Sequence, residues 1–162
     1  MENFKNKTAV ITGASSGMGF LSSECFAKQG ANVVMLATNP EKLEAKVKEL
    51  TDAGLSAIGV PTDVRDYEQV KAACKTAWDV FGSLDIVVNL AGGSELRIKG
   101  IDRSTPFHEV PIEVYDWGLD VNMKGQFYLS HAAMKYMAEQ KSGVIINIGS
   151  VIGAEACRDD LA

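Results

Sequence analysis

An apolar run, Thr8-Ala9-Val10-Ile11, leads through Thr12-Gly13-Ala14-Ser15-Ser16-Gly17-Met18-Gly19 into a helical pattern. A strand that turns through three glycines into a helix restricts the chain to a β–turn–α unit with a tight, backbone-lined turn. Gly13 permits a sharp exit from the strand where a Cβ would clash. Gly17 and Gly19 let the backbone approach a ligand closely and let the helix pack on the strand. The helix start then offers free N–H groups and a positive dipole end, which suit the pyrophosphate of a dinucleotide. Ser15, Ser16 and Met18 share that turn and join the three glycines as candidate phosphate-binding positions.

The rest of the chain alternates strand and helix. The first helix spans Gly17–Gln29, with Met18, Leu21, Cys25 and Phe26 expected on its inward face, and Gly30 ends it. Val33–Leu36 is a strand, and Asn39-Pro40 reads as an N-cap with proline at the first helical position. That helix turns Leu43, Val47 and Leu50 inward and closes at Gly54. Ala57–Val60 is a third strand, and Asp66 caps a helix presenting Val70, Ala73, Ala77 and Val80 until Gly82 stops it. Leu84–Asn89 is a fourth strand whose apolar centre, Ile86-Val87-Val88, suits a parallel sheet covered on both faces.

Segment 92–110 lacks periodicity and reads as a long loop on the ligand side. Pro111 starts a long helix towards Glu139, with Val114, Trp117, Val121, Tyr128, Ala132 and Met137 as its apolar face. Val144–Ile148 is a fifth strand. The order predicts a single α/β domain over 1–162: a doubly wound, Rossmann-type parallel sheet with helices on both faces. The fifth strand belongs at the centre of such a sheet, so as the last strand it is expected to form an uncovered apolar edge. That is the expectation for a chain truncated after its fifth strand.

Composition narrows the function classes. A net charge of −5 argues against a broad nucleic-acid face, and no apolar run reaches the length of a membrane span. The N-terminal segment is polar and carries no visible signal peptide, which points to the cytoplasm. Cys25, Cys74 and Cys157 have no metal-like spacing, and the first two read as buried free thiols. His108 and His131 are too isolated to suggest a metal site. Tyr67, Tyr115, Tyr128 and Tyr136 read as packing residues.

Further signals fall at or beside the carboxyl ends of strands, where open α/β sheets bind ligands. They are Asp63-Val64, Asn89-x-Ala91-Gly92, Asn122 with Lys124-Gly125, and Asn147-Ile148-Gly149-Ser150. With Thr12-Gly13-x-x-x-Gly17-x-Gly19, in this order and spacing, the chain resembles the short-chain dehydrogenase/reductase family from about Lys5 to Val151. The resemblance implies NAD(P)-dependent interconversion of an alcohol and a ketone or aldehyde on a small molecule. It implies that Asp63 binds the adenine amino group, with Val64 packing on the ring. Asn89 and the Ala91-Gly92 backbone would flank the adenosine ribose and the central sheet. Asn122 would help hold a water in a proton relay, and Ser150 would orient the substrate carbonyl.

Two departures stand out. Leu90 occupies a position where the family usually has a second asparagine. The family's general acid/base tyrosine, with a lysine four residues on, is due near residue 162 and is not present after Ser150. A positioned general acid is worth about 10²–10⁴-fold in rate, so the 162 residues alone are expected to be nearly inert. Cofactor choice turns on the end of the second strand, which offers Ala37-Thr38-Asn39 with no carboxylate to repel a 2′-phosphate. Thr38 can donate a hydrogen bond there, which points to NADP(H) over NAD(H). The family commonly associates through the long helix, so the complete protein is expected to be a homo-oligomer. Alternative readings are a non-catalytic dinucleotide-binding module and one half of a split enzyme.

Overall fold

The computed structural model describes residues 3–150; Cys157 and the remainder of 151–162 lie outside them. Strands β1 (Thr8–Thr12), β2 (Asn32–Ala37), β3 (Ala57–Pro61), β4 (Ile86–Asn89) and β5 (Val144–Asn147) form one sheet in the order β3-β2-β1-β4-β5. Every pairing is parallel, with Val10 opposite both Val34 and Val87, and Asn89 opposite Asn147. This is the doubly wound sheet that the strand–helix alternation predicts.

Successive residues of the central strands feed opposite cores. Ala9, Ile11, Val33, Met35, Ile86 and Val88 pack with α1 (Gly17–Lys28) and α2 (Pro40–Asp52). Val10, Val34, Leu36 and Val87 pack with α3 (Tyr67–Phe81) and the later helix α6 (Gly125–Gln140). Both faces of each central strand are therefore dry, which explains their unbroken apolar runs. The amino edge is held by Asp85, whose carboxylate accepts from the Thr8 amide at 3.0 Å and the Lys7 ammonium at 2.8 Å.

The face of α1 differs from the one the sequence predicts. Met18, Leu21 and Cys25 point outward, while Gly19, Phe20, Ser23 and Ala27 are buried. The close seat of Gly19 on the turn at Gly13 fixes the helix rotation, and the inward row follows at four-residue spacing. Cys25 is thus an exposed thiol, accepting from Gln29 Nε2 at 3.3 Å, whereas Cys74 is buried and its thiol is pushed up to about 12. Val80 also departs from expectation and is exposed at the end of α3.

Segment 92–110 is not wholly irregular. It holds α4 (Glu95–Lys99), with Ser94 at its N-cap, and a 3₁₀ turn at Phe107–Glu109. The helix from Pro111 is two α segments, α5 (Ile112–Leu119) and α6, joined by a π turn at Asp120–Lys124. A π turn inserts a residue and rephases the buried stripe. Val114 and Gly118 are inward before it; Gly125, Leu129, Ala132, Ala133, Tyr136 and Met137 are inward after it. Trp117, Val121 and Tyr128 are consequently only half-buried. Among the described residues β5 is a sheet edge, with Val144 and Ile146 exposed.

Candidate functional site

The sheet order reverses between β1 and β4, the switch point beside whose carboxyl ends an open α/β sheet carries its ligand crevice. The glycine turn forms one wall. Gly13 has φ +67°, and a Cβ there would sit 3.1 Å from the Leu90 carbonyl oxygen. A Cβ on Gly19 would lie 2.2 Å from the Gly13 carbonyl oxygen, so only glycine lets α1 begin this close to the turn. The Ala14 amide donates to the Leu36 carbonyl at 3.0 Å and ties the turn to β2.

The start of α1 is chemically unlike its neighbours. Asn39 closes α2 by accepting from the Lys42 amide at 2.8 Å. Asp66 closes α3 by accepting from the Glu68 and Gln69 amides. Ser16 stands at the N-cap of α1 in extended backbone with no side-chain cap bond, and no acidic residue occupies the first turn. The end of this helix therefore carries its positive dipole without a protein side chain to answer it. Ser16, Gly17 and Met18 are exposed at the mouth, and Ser15 is half-buried behind them.

The opposite wall is built from the end of β4. Thr12 Oγ1 accepts from both the Leu90 and Ala91 amides at 2.9 Å, locking the two loops together. Asn89 is buried, and its Nδ2 donates to Asn147 Oδ1 at 2.7 Å across the β4–β5 pair. Leu90 packs against the core beneath α1, so its side chain serves packing where the family's asparagine would be polar. Asn122, in the π turn, accepts from the Gly93 amide at 2.9 Å and donates to the Gly93 carbonyl at 3.0 Å. A Cβ on Gly92 would fall 2.5 Å from Asn122 Oδ1, so the loop passes directly over that side chain. Gln126 Nε2 donates to the Ile148 carbonyl at 3.0 Å, and Ser150 lies exposed two residues beyond.

The third side lies past β2 and β3. Thr38 is exposed at the end of β2, and the Thr62 amide donates to the Ala37 carbonyl at 2.9 Å. Asp63 comes next, its carboxylate gripped by the Arg65 side chain with Nη2 to Oδ2 at 2.6 Å. Hydrogen bonds from Arg65 hold the Asp63 carboxyl below its ordinary range against the opposing effect of burial, and they raise the guanidinium in return. Val64 is buried, and its Cγ2 would meet a Cβ on Gly125 at 2.6 Å. Gly125 thus allows α6 to seat on Val64.

Contacts join the glycine turn to Leu90 and Ala91, Asn122 to the Gly92-Gly93 loop, and Val64 to α6. Thr12, Asn147, Gln126, Arg65 and Gln69 hold the site together without a role foreseen from the sequence. Thr12 and Asn147 stand in motifs visible there; Gln126, Arg65 and Gln69 act across long range or through local side-chain folding. The sequence's one Tyr-x-x-x-Lys, Tyr67 to Lys71, lies on α3, where Glu68 holds the Lys71 ammonium and the Tyr67 hydroxyl pairs with His131 Nδ1 at 2.6 Å. It borders a groove of about 440 Å³ between α3 and α6, lined in part by Lys71 and Lys75, which pair with Glu68 and Asp79. That groove contains none of the crevice residues. Among the described residues no helix is long and apolar enough to cross a membrane, and no three metal-ligating side chains cluster.

The short chain dehydrogenase family profile matches residues 7–159. An uncharacterized oxidoreductase of Staphylococcus aureus strain USA300 is 37% identical over 153 residues, covering 94% of this chain and 62% of the relative. The 3-oxoacyl-acyl-carrier-protein reductase FabG of S. aureus strain Mu50 is 38% identical over 149 residues, covering 91% and 57%. A crystal structure of gox2181 superposes with TM-score 0.87 at 26% identity, covering 97% of this chain and 58% of the other. A 7α-hydroxysteroid dehydrogenase complexed with NADH and 7-oxo-glycochenodeoxycholic acid superposes with TM-score 0.84 at 27% identity, covering 96% and 58%. The chain thus spans 57–62% of the length of these relatives. With a profile match across nearly all its residues, the crevice at the β1–β4 switch point and these relatives, the chain belongs to the short-chain dehydrogenase family.

Proposed function

We propose that this chain is the dinucleotide-binding part of an NAD(P)-dependent oxidoreductase that interconverts an alcohol and a ketone or aldehyde on a small molecule. The observation that carries the reading is the start of α1, which alone among α1, α2 and α3 lacks a side-chain cap and sits on a turn that a Cβ at Gly19 would fill. Backbone amides of Ser15, Ser16, Gly17 and Met18 hold the pyrophosphate, between Gly13 and Gly19. Asp63, with Val64 beside it, receives the adenine, while Asn89, Ala91 and Gly92 form the wall along the ribose.

Thr38 and the absence of a carboxylate in Ala37-Thr38-Asn39 favour NADP(H) over NAD(H). A bound nicotinamide would supply or accept the hydride. Ser150 holds the substrate oxygen by a hydrogen bond, and Asn122 secures the loop over the crevice through both polar atoms of its side chain. A serine hydroxyl is a poor acid near neutral pH, and Tyr67 is engaged with His131 on another face. The 162 residues therefore bind dinucleotide and turn over little. A homo-oligomeric, cytoplasmic enzyme is the setting we propose.

Titration of NADPH and NADH, followed by nicotinamide fluorescence, tests the reading. Saturable binding of both, tighter for NADPH, is expected, with reduction of simple carbonyl compounds at least 10²-fold below that of an intact reductase. Failure of both nucleotides to bind the folded chain would overturn it.

A further inference from the structure

We propose that Arg65 is a positioning residue for base recognition: its guanidinium holds the Asp63 carboxylate so that one remaining lone pair accepts the 6-amino group of adenine. The inference rests on the dinucleotide reading above. A carboxylate offers about four lone-pair positions. Oδ1 accepts from the Arg65 amide at 3.0 Å. Oδ2 accepts from Arg65 Nη2 at 2.6 Å, and the Arg65 Nε proton is shared between the two oxygens at 3.0 and 3.1 Å. Three protons thus occupy four positions, and one lone pair is left for an incoming donor.

The backbone beneath is fixed as well. The Asp63 amide donates to Gln69 Oε1 at 2.9 Å, and Gln69 Nε2 donates to Asp66 Oδ2 at 3.0 Å. Asp66 in turn caps α3, so the loop is tied to the helix start. Neither rotation of the carboxylate nor a shift of its loop is free. The side chains of Asp63 and Arg65 remain 27% and 42% exposed, so the pair is open on one side. The other charged group facing Arg65 is Asp120 in the π turn, itself paired with Lys124 at 3.0 Å.

The chemistry that follows is selective. Adenine presents a 6-amino donor to the open lone pair. Hypoxanthine presents a 6-carbonyl acceptor, which an ionised carboxylate repels. An Asp63 freed from Arg65 could rotate, hydrate and bond elsewhere, and would lose this discrimination. A lysine supplies charge but no planar fork, so it should restore only part of it.

The test compares reduced nicotinamide adenine dinucleotide with its hypoxanthine analogue in the full chain and in Arg65→Gln and Arg65→Lys. The parent should bind the adenine form about tenfold more tightly, as expected for one hydrogen bond to a charged group. Arg65→Gln should erase that preference with less than a twofold change for the hypoxanthine form, and Arg65→Lys should fall between. An equal loss for both dinucleotides, an unchanged preference in Arg65→Gln, or no preference in the parent would overturn the inference. A parent that binds neither dinucleotide would overturn the cofactor reading and this inference with it. Melting temperatures of the variants within a few degrees of the parent separate a binding defect from unfolding.

Discussion

At the scale of single residues, Thr12 links two loops that the sequence separates by nearly eighty positions. Its Oγ1 satisfies the Leu90 and Ala91 amides together. Thr12→Val keeps the shape and removes the acceptor, leaving two donors at a part-buried site. A loss of about 2–3 kcal/mol is expected from the cost of unsatisfied groups, read as a lower urea midpoint at constant slope. Thr12→Ser should recover most of it. Asp85 gives a prediction in pH. Burial pushes its carboxyl up, but bonds from Lys7, Thr8 and Ser83 outweigh that and set it below its ordinary value. The unfolded chain therefore binds this proton more readily, so the stabilisation is present above about pH 4 and fades as pH falls through the depressed folded value. Urea midpoints measured from pH 5 to pH 2.5 should decline less steeply in Asp85→Asn than in the parent.

Elements were legible in the sequence wherever their cause is local. Asn39-Pro40 and Asp66 set two helix starts through bonds within three residues, and both caps form as their residue types predict. Gly82 ends α3 in the left-handed conformation that favours glycine. The rotation of α1 was not legible, because it is set by contact of Gly19 with the Gly13 carbonyl rather than by hydrophobic spacing. Nor was the π turn, since an inserted residue leaves no compositional mark. Within the candidate site the glycine turn, Asp63, Asn89 and Asn122 could be picked out by type and place. The pairings of these residues with Arg65, Asn147 and Gly93 emerged only from the folded chain, although Asn147 itself stands in a motif visible in the sequence. Gly19→Ala tests the element-scale argument: its Cβ would fall 2.2 Å from a backbone oxygen that cannot easily yield. Destabilisation above about 3 kcal/mol is expected from overpacking at a rigid backbone contact, seen as a large fall in melting temperature.

Across the whole molecule, two dry cores sandwich a parallel sheet whose switch point lies between a glycine turn and the Leu90–Gly93 loop. The exposed β5 edge is the weak point of this arrangement among the described residues, with Val144 and Ile146 presented to solvent. Ile146→Lys should suppress self-association of the 162-residue chain, because a charge on an edge strand opposes pairing. Light scattering at rising protein concentration should show a later onset in the variant; an unchanged onset would place the associating surface elsewhere. Dinucleotide binding by the turn itself is best tested at Gly17, where φ is +49° and a Cβ would meet nothing within 4 Å. Asparagine tolerates that backbone conformation, so Gly17→Asn should fold while crowding and stiffening the amides proposed to hold the pyrophosphate. Calorimetric titration of NADPH into Gly17→Asn and its parent is the direct measurement. An affinity at least about tenfold weaker in a folded variant is the predicted result, corresponding to roughly 1.4 kcal/mol; equal affinity in the two would contradict the account.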